Sequence, residues 1–332
     1  MPYVSIVIPA YNAADFITDA YRSIADQTIS DWEVIFVNDS SQDCTLSVVR
    51  SLAAVDKRIK VVDLALNLGP ACARNAALAI AEGEWIAMLD ADDRYSRDRL
   101  EVLTRAGEQS DADIVLDNLF IVDPISRDTI FLAFEPDDDG SVALKFSDFL
   151  RNIQSSAFFG FGYFKPVIRR HWLMANNIKY LEALRHGEDV TLLLECYARG
   201  AKVVLLSRPY YYYCNQYSHI SRTKSPKTKT KARFNCLLAA VEQFLESYHS
   251  KLSHLERNLI ASYCESLREM MIIEDLRSYL TNSDFIGIAG SLRNPVRLFK
   301  GIYFEKRRSL LHRSRARSFL RAGMQLTHSQ GG

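Results

Sequence analysis

The chain has six cysteines, Cys44, Cys72, Cys196, Cys214, Cys236 and Cys264, and no Cys-x-x-Cys pair among them, which argues against a zinc knuckle or a dithiol redox motif. They read as reduced core cysteines of a cytoplasmic protein. No apolar stretch approaches the ~20 residues a helix needs to cross a bilayer, so any membrane contact is expected to be peripheral. The first residues lead almost directly into a β-branched run, without the basic segment and long apolar stretch of a secretory signal. No Gly-x-Gly-x-x-Gly follows that run, which argues against a dinucleotide oxidoreductase. Net charge is nearly absent, at +1 from 41 basic and 40 acidic residues, and no nucleic-acid-binding motif is present. What remains is a 332-residue chain, 48% hydrophobic, able to bury a full core as one large domain or two smaller ones.

Four short apolar runs organise the first hundred residues. Val4-Ser5-Ile6-Val7-Ile8-Pro9 ends in Ala10-Tyr11-Asn12 and precedes a helical segment from about Asp15 to Gln27. Glu33-Val34-Ile35-Phe36-Val37 ends in Asn38-Asp39-Ser40-Ser41, ahead of a helix beginning near Thr45. Ile59-Lys60-Val61-Val62-Asp63 leads to Asn67-Leu68-Gly69-Pro70 and an Ala-rich helix carrying Arg74 and Asn75. Trp85-Ile86-Ala87-Met88-Leu89 closes in Asp90-Ala91-Asp92-Asp93. Strands alternating with helices of about a dozen residues predict a mostly parallel sheet with right-handed crossovers, its polar clusters gathered along one edge. Ligands of open α/β sheets bind at such edges, and carboxylates one residue apart suit a hard divalent cation bridging phosphate oxygens. A polar turn or helix cap is the other reading of the Asp cluster.

Pro9-Ala10-Tyr11-Asn12, Asn38-Asp39-Ser40-Ser41, Gly69-Pro70-Ala71-Cys72-Ala73-Arg74-Asn75 and Asp90-Ala91-Asp92-Asp93, in that order and spacing, resemble the family 2 glycosyltransferases. The resemblance covers residues 1 to about 100, returns around Gly187-Glu188-Asp189 and fades after about residue 235. Within the family the chain looks most like bacterial exopolysaccharide transferases of the succinoglycan type. The resemblance implies a GT-A (nucleotide-diphospho-sugar transferase) fold: α/β, with a mostly parallel, Rossmann-like sheet and a C-terminal helical extension. Residues 1–100 are then the donor-binding half, 101–233 the acceptor-binding half and 234–332 a helical region with a basic amphipathic tail.

The same resemblance assigns roles. Asp39 accepts a hydrogen bond from the imino group of uracil, or else caps the helix near Thr45. Pro9, Ala10 and Tyr11 pack along base and ribose. Arg74, one turn into a helix whose Pro70 suits its first position, reaches the nucleotide or its phosphates, or else forms a surface salt bridge. Asp92 is the first metal ligand, for Mn2+ or Mg2+; Asp90 contacts ribose or metal, and Asp93 supports or caps. An inverting transfer also needs a base for the acceptor hydroxyl. In Arg185-His186-Gly187-Glu188-Asp189 an acidic pair opens a helix, whose dipole favours negative charge there. The family's matching pair makes Asp189 the base and Glu188 a positioning group, with plain N-terminal capping as the alternative.

Further along, the aromatic segment Tyr210-Tyr211-Tyr212-Tyr213 precedes Ser218-His219-Ile220-Ser221-Arg222. His219 can complete the metal shell or be an exposed loop histidine, and Arg222 can pair with phosphate. The basic run from Arg222 to Arg233 suits a lid or a surface facing membrane or lipid diphosphate. Phe158 to Pro166, rich in aromatics and glycine, is expected to line the acceptor sugar or to be core. Leu237, Leu238, Val241, Phe244 and Leu245, then Leu255, Leu259, Tyr263 and Leu267, predict packing faces of two helices. Between Leu292 and Arg321 ten basic residues stand against the single acid Glu305, interleaved with Leu292, Val296, Phe299, Ile302 and Phe319. That pattern suits an anionic membrane surface, a solvated helical extension or an oligomer contact.

The expected function is therefore a metal-dependent inverting transfer from a UDP-sugar, with glucose as the sugar, onto a lipid-linked oligosaccharide at the cytoplasmic face of the inner membrane. A sugar-1-phosphate nucleotidyltransferase is the rival enzyme, but it wants a Gly-rich, basic loop after the first strand, where Pro9-Ala10-Tyr11-Asn12 stands. A non-catalytic nucleotide-sugar binding protein is the other rival, and it has no need of Glu188-Asp189.

Overall fold

The computed structural model describes residues 1–123, 126–136, 140–154, 160–214 and 234–281, with side chains as far as Ile272. The described residues fall into two compact units, one within Met1–Lys145 and Gly162–Ala232, the other within Phe146–Phe161 and Arg233–Gly332.

The first unit is built on one sheet. Its strands are β1 (Val4–Ala10), β2 (Trp32–Asn38), β3 (Ile59–Asp63), β4 (Trp85–Met88), β5 (Arg94–Tyr95), β6 (Ile114–Val122), β7 (Thr129–Leu132), β8 (Ser141–Ala143), β9 (Val167–Arg169) and β10 (Val203–Cys214). Its helices are α1 (Ile17–Ala25), α2 (Thr45–Val55), α3 (Pro70–Leu78), α4 (Arg99–Gln109), α6 (Arg170–Ala175) and α7 (Glu188–Ala198). The main strand order is β3-β2-β1-β4-β9-β6-β10-β5, with β7 on β6 and β8 on β10. β1 to β4, β6 and β10 share one direction, because β9 pairs antiparallel with both β4 and β6. The sheet is thus mostly parallel, as expected for this α/β class, and the central strands are buried on both faces, β2 along its whole length.

Two features of this sheet set the site. β9 runs against its neighbours, so its first residues lie at the edge where the parallel strands end; Ala87 pairs with Val167, which carries Lys165 and Pro166 to the level of Leu89. β10 breaks register with β6 between Leu206 and Tyr211. Pro209 offers no donor there, and side chains take over the freed backbone: Asp117 Oδ2 accepts from the Tyr210 amide at 3.2 Å, and Asn118 Nδ2 donates to the Ser207 carbonyl at 3.0 Å.

The second unit comprises α5 (Phe146–Gln154), α8 (Phe234–Ser247) and α9 (His254–Thr281). Leu237, Val241 and Phe244 are buried as the spacing in α8 predicts. In α9 the buried stripe is Ile260, Tyr263, Cys264 and Leu267, while Leu255 is 46% exposed. The expected series through Leu255 and Leu259 is therefore one position out of phase before Tyr263, since a stripe at 3.6 residues per turn continues through 260. The cysteines need a correction too: only Cys196, Cys214 and Cys264 are buried, and Cys44 is exposed. No helix among the described residues is long and apolar enough to cross a membrane.

Candidate functional site

The strand ends align the first two polar clusters. Ala10 pairs with Asn38, and the Asp39 amide donates to the Ala10 carbonyl at 2.8 Å. Pro9 is half-buried, Ala10 buried and Tyr11 39% exposed. Asp39, buried, accepts from the backbone amides of Leu68 at 2.7 Å and Gly69 at 2.8 Å, and so holds the loop that enters α3. It does not cap the helix at Thr45. Asp43 does, through the Thr45 amide at 2.9 Å. Gly69 makes the turn at φ 94°, a region costly for a residue with a Cβ, and that Cβ would stand 3.0 Å from Arg185 Cγ. Arg185 in turn donates to the Asn67 carbonyl at 2.7 Å.

α3 then presents Arg74 to the carboxylates. Its Nη1 donates to Glu188 Oε1 at 2.6 Å and its Nη2 to Asp90 Oδ1 at 2.7 Å, with Asp189 Oδ1 at 3.8 Å from Nη1. The side chain is 2% exposed, so this is a buried network and not a surface salt bridge. Burial works against the guanidinium charge, but Asp189, Asp90 and Glu188 outweigh it and hold its pKa well above the ordinary value. Asn75, one residue on, exchanges two 2.9 Å hydrogen bonds with the backbone of Tyr180 and so anchors the segment leading to α7. Gly187, at φ 76°, lets the chain turn directly into α7, which puts Glu188 and Asp189 in its first turn. His186 beside them is pushed below its ordinary pKa by burial, against the pull of Glu188 and Asp189, and stays neutral near pH 7.

Asp90, Asp92 and Asp93 are all buried, and one carboxylate oxygen from each lies within 4.8 Å of the others. Both Asp90 oxygens face cations, Arg74 on Oδ1 and Lys165 on Oδ2 at 3.2 Å. Asp93 accepts from the Tyr211 hydroxyl and the Cys214 amide, each at 2.8 Å, which ties the cluster to the end of β10. The Tyr211 phenol is held well above its ordinary pKa by burial, reinforced by Asp93 and Asp90, so it remains a donor. Among the described residues, five carboxylates (Asp90, Asp92, Asp93, Glu188, Asp189) thus meet two cations (Arg74, Lys165), a formal excess of three negative charges in a buried setting. A donor set of oxygens with that excess fits a hard divalent ion such as Mg2+ or Mn2+.

Several of these residues carried no signal of their own. Lys165 Nζ lies 2.5 Å from Asp189 Oδ2, yet in the chain it is a lone lysine after an aromatic stretch. Arg99 and Asp117 form a fully buried pair, Nη2 to Oδ1 at 2.7 Å and Nε to Oδ2 at 3.2 Å, with Arg99 over the Tyr95 and Tyr211 rings. Of the stretch from Phe158 to Pro166, Phe158 and Phe159 lie outside the described residues, and Phe164 is fully buried core. His219 and Arg222, with the rest of the basic run, also lie outside the described residues, as does the tail from Leu292.

The glycosyl transferase family 2 model matches residues 5–169. The chain is 30% identical to succinoglycan biosynthesis protein ExoO of Rhizobium meliloti over 280 residues, 83% of this chain and 78% of that one. S. aureus TarS 1–349, solved in complex with UDP-GlcNAc, matches with a TM-score of 0.59 at 22% identity over 79% of this chain and 71% of its own. A mannosyltransferase from Pyrobaculum calidifontis, solved with GDP-Man and Mn2+, matches at 0.53 and 17% identity, over 96% and 86%. At these identities the two structures share this chain's fold.

Proposed function

The chain belongs to glycosyl transferase family 2, and from that premise we propose that it is an inverting, metal-dependent transferase using a UDP-sugar, with glucose as the sugar. The acceptor is a lipid-linked oligosaccharide of exopolysaccharide synthesis, met at the cytoplasmic face of the inner membrane. The observation that carries this reading is the bridge from the Asp90 cluster to the Glu188-Asp189 pair. Arg74 and Lys165 hold a metal-suited carboxylate group and a candidate base in one buried network.

In the proposed reaction Asp189 takes the proton of an acceptor hydroxyl as that oxygen bonds to the anomeric carbon, and the bond from that carbon to the diphosphate breaks on the opposite face. Glu188, held by Arg74, positions the acceptor or the backbone. Asp39 receives the nucleobase at the foot of the loop it already holds, beside Pro9, Ala10 and Tyr11. Asp92 and Asp90 hold the metal, with His219 as a third ligand, and Arg222 pairs with phosphate. A bound Mn2+ or Mg2+ supplies charge neutralisation of the leaving diphosphate.

Calorimetric titration with UDP, with and without Mn2+ or Mg2+, tests the donor site on the wild type and on Asp92→Asn. Metal-dependent binding is expected in the wild type and at least tenfold weaker binding in the variant. Binding of GDP in place of UDP would keep the fold and overturn the donor. The basic tail is proposed to dock on anionic lipid. Deletion of residues 292–332 is expected to release the protein from vesicles of anionic phospholipid, at about 1 kcal/mol per basic residue near the surface; undiminished sedimentation with the vesicles would refute it.

A further inference from the structure

Lys165 is buried between two carboxylates, its Nζ 2.5 Å from Asp189 Oδ2 and 3.2 Å from Asp90 Oδ2. Its backbone is held as firmly as its ammonium. The Lys165 carbonyl accepts from Arg99 Nη2 at 2.7 Å, and Arg99 is locked to Asp117 with neither side chain exposed. The stem therefore starts from a fixed point at the head of β9, and the ammonium ends on one chosen oxygen of Asp189. The other oxygen, Asp189 Oδ1, is buried and makes no well-aligned hydrogen bond among the described residues; Arg74 Nη1 lies 3.8 Å away, already committed to Glu188, and the buried Tyr180 hydroxyl stands close to the same carboxylate.

We propose that Lys165 is a positioning residue for the transfer, clasping Asp189 by Oδ2 so that Oδ1 is the oxygen that receives the acceptor proton. The proposal rests on the functional reading above and deepens it. A carboxylate oxygen bonded to an ammonium has a lone pair occupied and its charge partly satisfied, whereas its partner keeps the capacity to accept. Fixing which oxygen faces the acceptor also fixes the direction of proton transfer, and misplacement by about 1 Å is enough to cost ~100-fold in rate. Arg74 does not duplicate the role, because it makes no hydrogen bond to Asp189. A lysine that served only to neutralise Asp90 would have no reason to act through Asp189, and the two accounts part on that point.

The test is a double-mutant cycle on the full chain: wild type, Lys165→Met, Asp189→Asn and the double variant, with kcat, KM and nucleotide Kd measured for each. Lys165→Met is expected to lower kcat about thirtyfold or more while UDP Kd stays within about threefold. In the Asp189→Asn background the same change is expected to cost less than about threefold, because its route to the reaction is already gone. Lys165→Arg, which restores a cation, is expected to recover about tenfold of the loss. If Lys165→Met does not fold, Lys165→Gln, which keeps a donor without the charge, is carried through the same cycle. Equal losses in both backgrounds, an unchanged kcat, or a loss confined to nucleotide Kd overturns the proposal while wild-type transfer stands. Wild-type protein that transfers no sugar from any nucleotide donor overturns the functional reading and the proposal with it.

Discussion

Asp189→Asn is expected to lower transfer turnover by about a hundredfold or more while UDP binds with a Kd within about threefold of the wild type. The geometry makes the substitution a clean one. An asparagine oxygen can accept the Lys165 ammonium in place of Oδ2, so the clasp persists, but no oxygen of an amide can take a proton from the acceptor at neutral pH. The change removes no hydrogen bond of the Asp90 cluster, of Asp39 or of the loop that Asp39 holds. Steady-state kinetics with parallel calorimetry separates the two quantities. Turnover within threefold of the wild type would remove Asp189 from the role of base and leave Glu188 as the nearest alternative.

The second large effect concerns stability. Asp117→Ala is expected to cost about 3–5 kcal/mol, because it leaves the Arg99 charge buried with no counter-ion. Burial alone works against that charge, and Asp117 is what outweighs it to hold the Arg99 pKa above its ordinary value. The loss is compounded at the β10 bulge, where the Tyr210 amide would lose its acceptor. Urea denaturation of wild type and variant reads the difference, and a change below about 1 kcal/mol would show that the pair is dispensable. Replacing both partners, as in Arg99→Met with Asp117→Leu, is expected to recover much of the loss, since neither charge then needs solvation. The double replacement also removes the tether on the Lys165 carbonyl, so restored stability with impaired turnover is the expected combination.

The segments easiest to read were those whose function depends on local order along the chain. Val4–Ala10, Trp32–Asn38, Ile59–Asp63 and Trp85–Met88 are strands within a residue or two of the runs that announced them, because β-branched runs closed by polar clusters report strands directly. Parallel pairing then had to bring the polar ends to one edge, which is why the order of the runs alone groups Asp39 with Asp90. The pair Glu188-Asp189 was legible for a similar reason: a glycine followed by two acids marks a helix start. The burial of Arg74, and its grip on Glu188 across 114 positions, was not.

The chain by itself determined the α/β class, the edge of the sheet that carries the polar clusters, and family membership, since each follows from short-range patterns and their order. The tertiary structure alone decided how the charges are shared. Lys165 reaches Asp189 because a three-residue antiparallel strand delivers it to the edge from the opposite direction, and Arg99 supports it because Asp117 lies across a β-bulge. Pairing of buried charges is settled by which oppositely charged groups the fold brings within hydrogen-bonding reach once water is excluded. No periodicity in the chain encodes that, because the cost of an unpaired buried charge is incurred only in the folded state.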